Sequence, residues 1–325
     1  MSLLQLQPHP FTSIPTHPSF STDSSHSELH QCISTALHEA LDLLHSIPST
    51  FTADPKERPS PPSQAKVKLL RGWRKPSKPR TSTKSQGKDK SEFWVCRQSE
   101  HVNESSKGTA SWREFEAGLR SEHAEHEMEY TPSVSAVERL LEWEPENIGE
   151  IEVDGARFRD AHMEVNLITH TFHPSALIAP RTFISLTISA AYDGLPSTTS
   201  QPPTVSQEEH RPGFLIVQIP LHPAASSTPK ALHQKITASV PKRTVFANYA
   251  SIERVELLPA VRSTDQPSTE QSQSRIEWTM ATTSDARGSI PQWVQRSWVL
   301  GGVPRAVVAD VGLFIGWTMR RRQST

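Results

Sequence analysis

The apolar positions of this 325-residue chain change period along its length, and the changes mark its elements. Leu29, Ile33, Leu37, Leu41 and Leu44 recur at helical spacing, which predicts an amphipathic helix that Pro48 stops. "KVKLLRGW" at 66–73 reads as a first strand, and Phe93 and Val95 alternate with Trp94 and Cys96 in a second. Ser111 and Glu114 match a capping box, opening a helix with Trp112, Phe115 and Leu119 on one face and Pro132 at its end. "SVSAVERLLEW" at 133–143 reads as a further short helix. Long alternating runs follow: Met163, Val165 and Leu167, then Ile184, Leu186 and Ile188 set against Phe183, Ser185 and Thr187. "GFLIVQIPL" at 213–221, "TVFANYASIERVELL" at 244–258 and "RIEWTMATT" at 275–283 continue the pattern. No crossover helix is legible between these strands, so the sheet is expected to be antiparallel.

The last strand meets a corner rich in tryptophan (Trp278, Trp293, Trp298). Gly288 supplies a turn, and Ser289 with Gln292 forms a second capping-box pattern over Ile290 and Pro291. Beyond it, Val303, Val307, Val311, Phe314 and Thr318 make one helical stripe, widened by Val308 and Ile315. The sheet is the large surface able to bury that stripe, so the helix is expected across its concave face.

Composition divides the chain. The 27 Pro outnumber the 13 Gly, and Ser/Thr clusters are frequent, which predicts one core with disordered insertions near 193–212, 222–243 and 259–274. The expected organisation is an N-terminal tail and helix over 1–50, a basic Pro/Ser-rich linker with a first strand over 51–91, and a main domain over 92–322. The net charge of −1 suggests no nucleic-acid partner. Lys66 to Lys90 nevertheless carry ten Lys/Arg against one acid. That stretch reads as a solvated linker, or as a contact for anionic lipid head groups at about 1 kcal/mol per cation; with Trp73 its one aromatic, nucleic acid is not expected there. Cys32 and Cys96 make no disulfide framework, and no Lys or Arg precedes Lys56, as a signal peptide or mitochondrial presequence would require. Pro304, Arg305 and Asp310 interrupt the most apolar window, 299–318, which argues against a membrane span. A cytoplasmic location is the expectation.

Few residues suggest covalent chemistry. His123, His126 and Glu127 have helical metal-ligand spacing, but their H-x-E-H run is one residue short of the inverted zinc pattern and no further ligand cluster joins it. No metal or cofactor is expected. G-x-S-x-G is absent, so no catalytic residue is assigned. Cys96, inside an apolar strand, reads as an inert buried thiol.

Several segments, in order, resemble the START-related lipid-transfer superfamily. "HPSALIAPRTFISL" is similar to its Pro/Arg-containing turn into a central strand, and "RIEWTMATTSDARGSIPQWVQRSW" to its closing strand, Asp-x-x-Gly turn and tryptophan-bearing helix. "FWVCRQSEH", "SWREFEAGLRSEHAEHEMEYTPSV" and "DVGLFIGW" resemble an uncharacterised, mainly fungal branch, a domain of unknown function. One departure is that Arg181 is followed by Thr182 where many members have Arg-Asp. The resemblance implies an α+β helix-grip fold: a curved antiparallel sheet against a long C-terminal helix, with an internal cavity and disordered loops and linker. It implies binding, and transfer, of a lipid or other hydrophobic small molecule without catalysis. Strand face and helix stripe give Ile184, Leu186, Ile188, Tyr249, Trp278, Met280, Trp293 and Phe314 as cavity residues, with Arg181 and Asp310 as polar anchors. Two alternatives stand beside this. One is a helix-grip enzyme, with Tyr249 and His162 the nearest candidates; the other is an interaction module whose cavity is filled by side chains.

Overall fold

Alternation becomes hydrogen-bonded sheet along most of its predicted length. The computed structural model describes residues 2–20, 26–75, 91–144, 148–172, 174, 178–194, 211–224, 226–260 and 273–324. In chain order the first half gives β1 (His9–Pro10), α1 (His26–Thr50), β2 (Thr52–Ala53), β3 (Arg58–Pro59), β4 (Lys66–Arg74) and β5 (Glu92–Val102). Next come α2 (Trp112–Phe115), a π-helical turn at Glu116–Arg120, α3 (His123–Tyr130), β6 (Val134–Trp143), β7 (Ile151–Val153) and β8 (Ala156–His170). The remainder is β9 (Arg181–Tyr192), β10 (Gly213–His222), α4 (Lys230–Ser239), β11 (Val245–Phe246), β12 (Asn248–Leu258), β13 (Arg275–Asp285), α5 (Gln292–Gln295) and α6 (Val303–Ser324).

One sheet joins them in the order β2-β4-β5-β13-β12-β10-β9-β8-β6, each neighbouring pair antiparallel. The fold is α+β, a large curved antiparallel sheet with α6 across one face: the helix-grip arrangement. Among the described residues no helix is long and apolar enough to cross a membrane.

Both faces of the sheet are covered, which the alternation did not reveal. On the outer face, Ile33, Leu37 and Leu41 of α1 join Leu186, Ile188 and Val217 in one core. On the inner face, Val307, Val311 and Phe314 of α6 join Val67, Phe115 and Trp278 in another. A strand covered on both sides has no polar face, so β9 is buried at every position except the half-buried Phe183. Leu3, Leu4, Phe11 and Ile14 join the α1 residues in that outer core. The Glu39 carboxylate of α1 ties the tail down, accepting from the Leu3 and Leu4 N–H groups (3.0 and 2.7 Å) and the Ser2 hydroxyl (2.8 Å).

Two sequence expectations need correction. The segment 133–143 is not helical: as β6 it pairs with β8 from Val134↔His170 to Trp143↔Met163. Register shifts at Val134/Ala136 and Arg139/Leu141 break the period of two, so its apolar residues imitate helical spacing. The expected disordered insertion at 222–243 contains α4, whose Leu232 and Ile236 are buried one turn apart; the other two insertions fall largely outside the described residues. In the basic stretch the expected first strand is present, Lys66–Arg74 forming β4 within the sheet, and residues 76–90 lie outside the described residues.

The closing helix also departs from its predicted start. Pro291, without a side-chain cap, precedes the four-residue α5, and α6 begins only at Val303. Between them Gly301 adopts φ 76°, and a Cβ on Gly302 would stand 2.2 Å from the Gln295 carbonyl oxygen. Further along α6 the Ser60 hydroxyl donates to the Val308 carbonyl (2.6 Å) and accepts from the Gly312 N–H (2.8 Å), the two ends of one helical hydrogen-bond step. The close approach needs glycine, because a Cβ on Gly312 would lie 2.4 Å from the Pro61 carbonyl oxygen and 2.7 Å from that of Ser60. Backbone cannot retreat as a side chain would. The clash should therefore exceed the roughly 1 kcal/mol that alanine gains over glycine in a helix. Gly312→Ala is expected to lower stability by about 2 kcal/mol, read as a lower urea midpoint with an unchanged slope.

Candidate ligand cavity

The two halves of α6 meet the sheet differently. Its C-terminal half is packed solid: the Phe314 ring lies 5.0 Å from Phe115, 5.3 Å from Trp278 and 5.8 Å from Trp317, centroid to centroid. Gly118 permits this approach, since a Cβ there would stand 2.6 Å from Trp317. Arg322 fastens the helix end to the Glu114 carboxylate and to the carbonyls of Ser106 (2.6 Å) and Thr109 (2.8 Å). The same Glu114 closes the predicted capping box with Ser111. The N-terminal half, beside Val307 and Val308 in the inner-face core, presents the short side chains of Ala306, Ala309 and Asp310 to an open space. A partly enclosed cavity of about 750 Å³ remains under it, walled by α3, β5, β8, β9, β10, β12, β13 and the corner before α6.

Arg97, Met280 and Glu253 stand side by side across β5, β13 and β12, where the packed half gives way to the cavity. Arg97, only 1 % exposed, donates from Nη2 to Glu253 Oε1 (3.0 Å) and lies flat over the Trp278 ring at 3.8 Å. Trp278 Nε1 donates to the same carboxylate oxygen at 2.7 Å. The remaining Nε and Nη1 of Arg97 have no hydrogen-bond partner.

Two more carboxyl groups face the cavity, Glu127 from α3 and Asp310 from α6, and neither has a hydrogen bond or ion pair among the described residues. Burial raises the Asp310 pKa to about 7; Glu127 and Glu253 push the same way and Arg97 opposes them. Burial likewise raises Glu127, with Glu253 adding to the effect and His123 opposing it. At the opposite end Arg181 donates to the carbonyls of Ala286 (3.1 Å) and Ala179 (2.5 Å). Gln295 holds the corner beside it, accepting from the Ala286 N–H (2.8 Å) and donating to the Ile290 carbonyl (3.0 Å).

The expected cavity residues divide by face. Arg181, Tyr249, Trp278, Met280 and Asp310 line the cavity. Ile184, Leu186 and Ile188 point to the outer face under α1, and their alternates Phe183 and Ser185 line the cavity instead. Alternation separates two faces without saying which one holds the void. Phe314 belongs to the packed aromatic cluster, and Trp293 is 67 % exposed, off the cavity wall. Trp298 is half-buried under the Arg58 guanidinium, 4.6 Å from its ring centre. The reading missed Arg97, Glu127, Glu253 and Gln295. Arg97 and Glu253 each follow a buried apolar residue in mid-strand, Cys96 and Ile252, but their own polar neighbours Gln98 and Arg254 give no sign that the face is covered.

The remaining candidates are held by structure. His123 Nδ1 bonds the Leu119 carbonyl (2.8 Å), and His126 packs 5.0 Å from Trp317. No group of three metal-binding side chains occurs among the described residues. His162 stands beside Glu142 and Glu164, off the cavity wall. Burial pushes the Cys96 thiol up to about 12, so it is not ionised at neutral pH.

A curved antiparallel sheet gripping a terminal helix, with a cavity beneath the helix, defines a helix-grip domain. The chain belongs to the family described as "Protein of unknown function (DUF3074)", whose profile matches residues 94–318, from β5 into α6. Among solved structures it is similar to human StAR-related lipid transfer protein 5, with a TM-score of 0.45 and 12 % identity, over 90 % of this chain and 98 % of that one. No curated protein sequence matches it.

The raised pKa of Asp310 has a consequence for stability. Its carboxyl holds a proton in the folded state up to about pH 7 but loses it near the ordinary 3.8 when unfolded. The folded chain binds more protons across that window, so this group lowers stability as pH rises from about 4 to 7. Asp310→Asn removes the effect. The variant is expected to match the parent near pH 4 and to exceed it by roughly 1–3 kcal/mol at pH 8, read by denaturant titration at both values.

Proposed function

We propose that the chain binds a lipid or similar amphipathic small molecule in the cavity beneath α6, without chemically altering it. The observation that carries this reading is the cavity itself. About 750 Å³ suits a small organic ligand, and its walls combine apolar side chains such as Ile168, Phe183, Met280 and Leu313 with a polar group at each end. Burying ~250 Å² of ligand hydrocarbon there contributes ~6 kcal/mol, at roughly 25 cal/mol per Å². The N-terminal half of α6 acts as a lid, with Gly301 and Gly302 where its backbone turns. The START-related segments of the sequence imply the same ligand class.

We further propose that the cavity meets a membrane at its rim. Leu300, which lines the cavity, is 52 % exposed, and Trp293 and Val299 beside it are 67 % and 81 % exposed. Arg296 lies between them in sequence, with its guanidinium over the exposed ring of Trp73 (4.8 Å). Aromatic and aliphatic side chains next to a cation suit an anionic interface.

Full-length protein incubated with a total lipid extract and repurified is expected to release one lipid per chain on denaturation, unchanged in mass. Ala306→Trp fills the cavity from the lid and should cut the recovered lipid at least tenfold without lowering Tm. An empty cavity across sterols, phospholipids and fatty acids would overturn the reading, and a ligand recovered as a product of altered mass would favour an enzyme. Trp293→Ser combined with Leu300→Ser should reduce sedimentation with phosphatidylserine-containing vesicles by about tenfold, close to 1.4 kcal/mol, leaving the fold intact.

A further inference from the structure

The polar end of the cavity contains more unmet hydrogen-bonding capacity than a plain hydrocarbon ligand would leave. Asp310 and Glu127 project into it from two different helices, without a donor to either carboxyl among the described residues. Glu253 is the third acid of this end, and one of its oxygens already accepts from both Arg97 and Trp278. Arg97 itself is 1 % exposed with two nitrogens unpartnered. A buried polar group without a partner costs roughly 1–3 kcal/mol, which applies to Arg97, while the half-buried carboxyls of Asp310 and Glu127 stay open to the cavity. Such groups gathered on one cavity wall describe the head group that would satisfy them.

Charge selects among head groups. Three acids (Glu127, Glu253, Asp310) share this end with one guanidinium, because Arg181 is held by backbone carbonyls at the far end. A carboxylate head would add a fourth negative charge. A neutral alcohol brings no charge, and a quaternary ammonium brings charge but no N–H donors. A primary ammonium brings three donors with its charge, and a neighbouring hydroxyl oxygen would accept from the free N–H groups of Arg97. We infer that the ligand is a long-chain amphiphile whose head is a protonated amine beside a hydroxyl, with the ammonium between Asp310 and Glu127 and the oxygen toward Arg97. The inference rests on the reading of the cavity as a ligand site.

A pH dependence follows. The charged and titratable groups within electrostatic reach of Asp310 are Arg97 on β5, Glu253 and Tyr249 on β12, and Glu127 and Tyr130 on α3, with His123 acting on Glu127. Tyr130 and Tyr249 stay neutral, because burial raises both phenols above the usual value. Below pH 7 Asp310 holds a proton that an incoming ammonium must displace. Affinity for the amine therefore rises with pH across neutrality, and binding releases a proton.

The test uses the full-length chain and four 18-carbon probes: 2-aminooctadecan-1-ol, octadecan-1-ol, stearate and octadecyltrimethylammonium, each displacing a fluorescent alkyl reporter. At pH 8 the amino alcohol is expected to bind at least about tenfold more tightly than the other three, and its advantage should shrink at pH 5.5. Asp310→Asn should flatten that pH dependence. Stearate or the quaternary ammonium binding as tightly as the amino alcohol overturns the head-group inference and leaves the cavity reading standing. Equal binding of the amino alcohol and octadecan-1-ol does the same. If none of the probes binds, the cavity reading fails and this inference falls with it.

Discussion

A single ion pair, Arg97 to Glu253 laid against the face of Trp278, sets the plan of the inner face of the sheet. Taking two charges out of water costs several kcal/mol each, and a pair recovers that only when its geometry is good and its other polar atoms are satisfied. Here the indole N–H bonds the same carboxylate oxygen and the indole ring covers the guanidinium, so three residues on three adjacent strands form one unit. On one side of it lies a core of aromatic rings closed on α6; on the other, α6 offers alanines and the space stays open. Replacing one partner would leave an unpaired charge at the floor of the cavity as well as a gap in the core.

The cavity is a consequence of how α6 is fixed as much as of what lines it. Arg322 and the bond from Trp317 Nε1 to Glu129 (2.7 Å) hold the far end of the helix to the α2–α3 region. Large side chains there set the distance between helix and sheet, and the small ones at Ala306 and Ala309 cannot close that distance upstream. A gap that large would be costly if lined only by hydrocarbon. Polar groups at both ends make its lining amphipathic.

Much of this was legible in the sequence, and the failures have identifiable causes. Long strands with undisturbed alternation, such as β9, β12 and β13, could be read directly, as could the Ser111–Glu114 cap and the stripe of α6. β6 could not, because two register shifts in ten residues scramble its period. The side of β9 that faces the cavity could not be read either: α1, far off in sequence, buries the opposite side, so Ile184 and Phe183 were equally good candidates. The charged cavity residues were missed for a related reason. A charge in an alternating strand normally faces water, and only the arrival of α3 and α6 over that face puts Arg97 and Glu253 inside.

The Ser60 hydroxyl stands in the hydrogen-bond ladder of α6 between Val308 and Gly312. A helix interrupted by an inserted side chain has a preferred place to bend, and both orphaned backbone groups keep a partner while it does so. Asp310 and the cavity-lining alanines lie at or before this step, and Phe314, Trp317 and Arg322 lie beyond it. Ser60, in the short connection from β3 to β4, therefore stands where the cavity-lining part of the helix meets its aromatic-packed part. That connection precedes residue 94, where the family match begins. The contact of Ser60 with α6 is thus made by a part of the chain outside the segment that the family match covers.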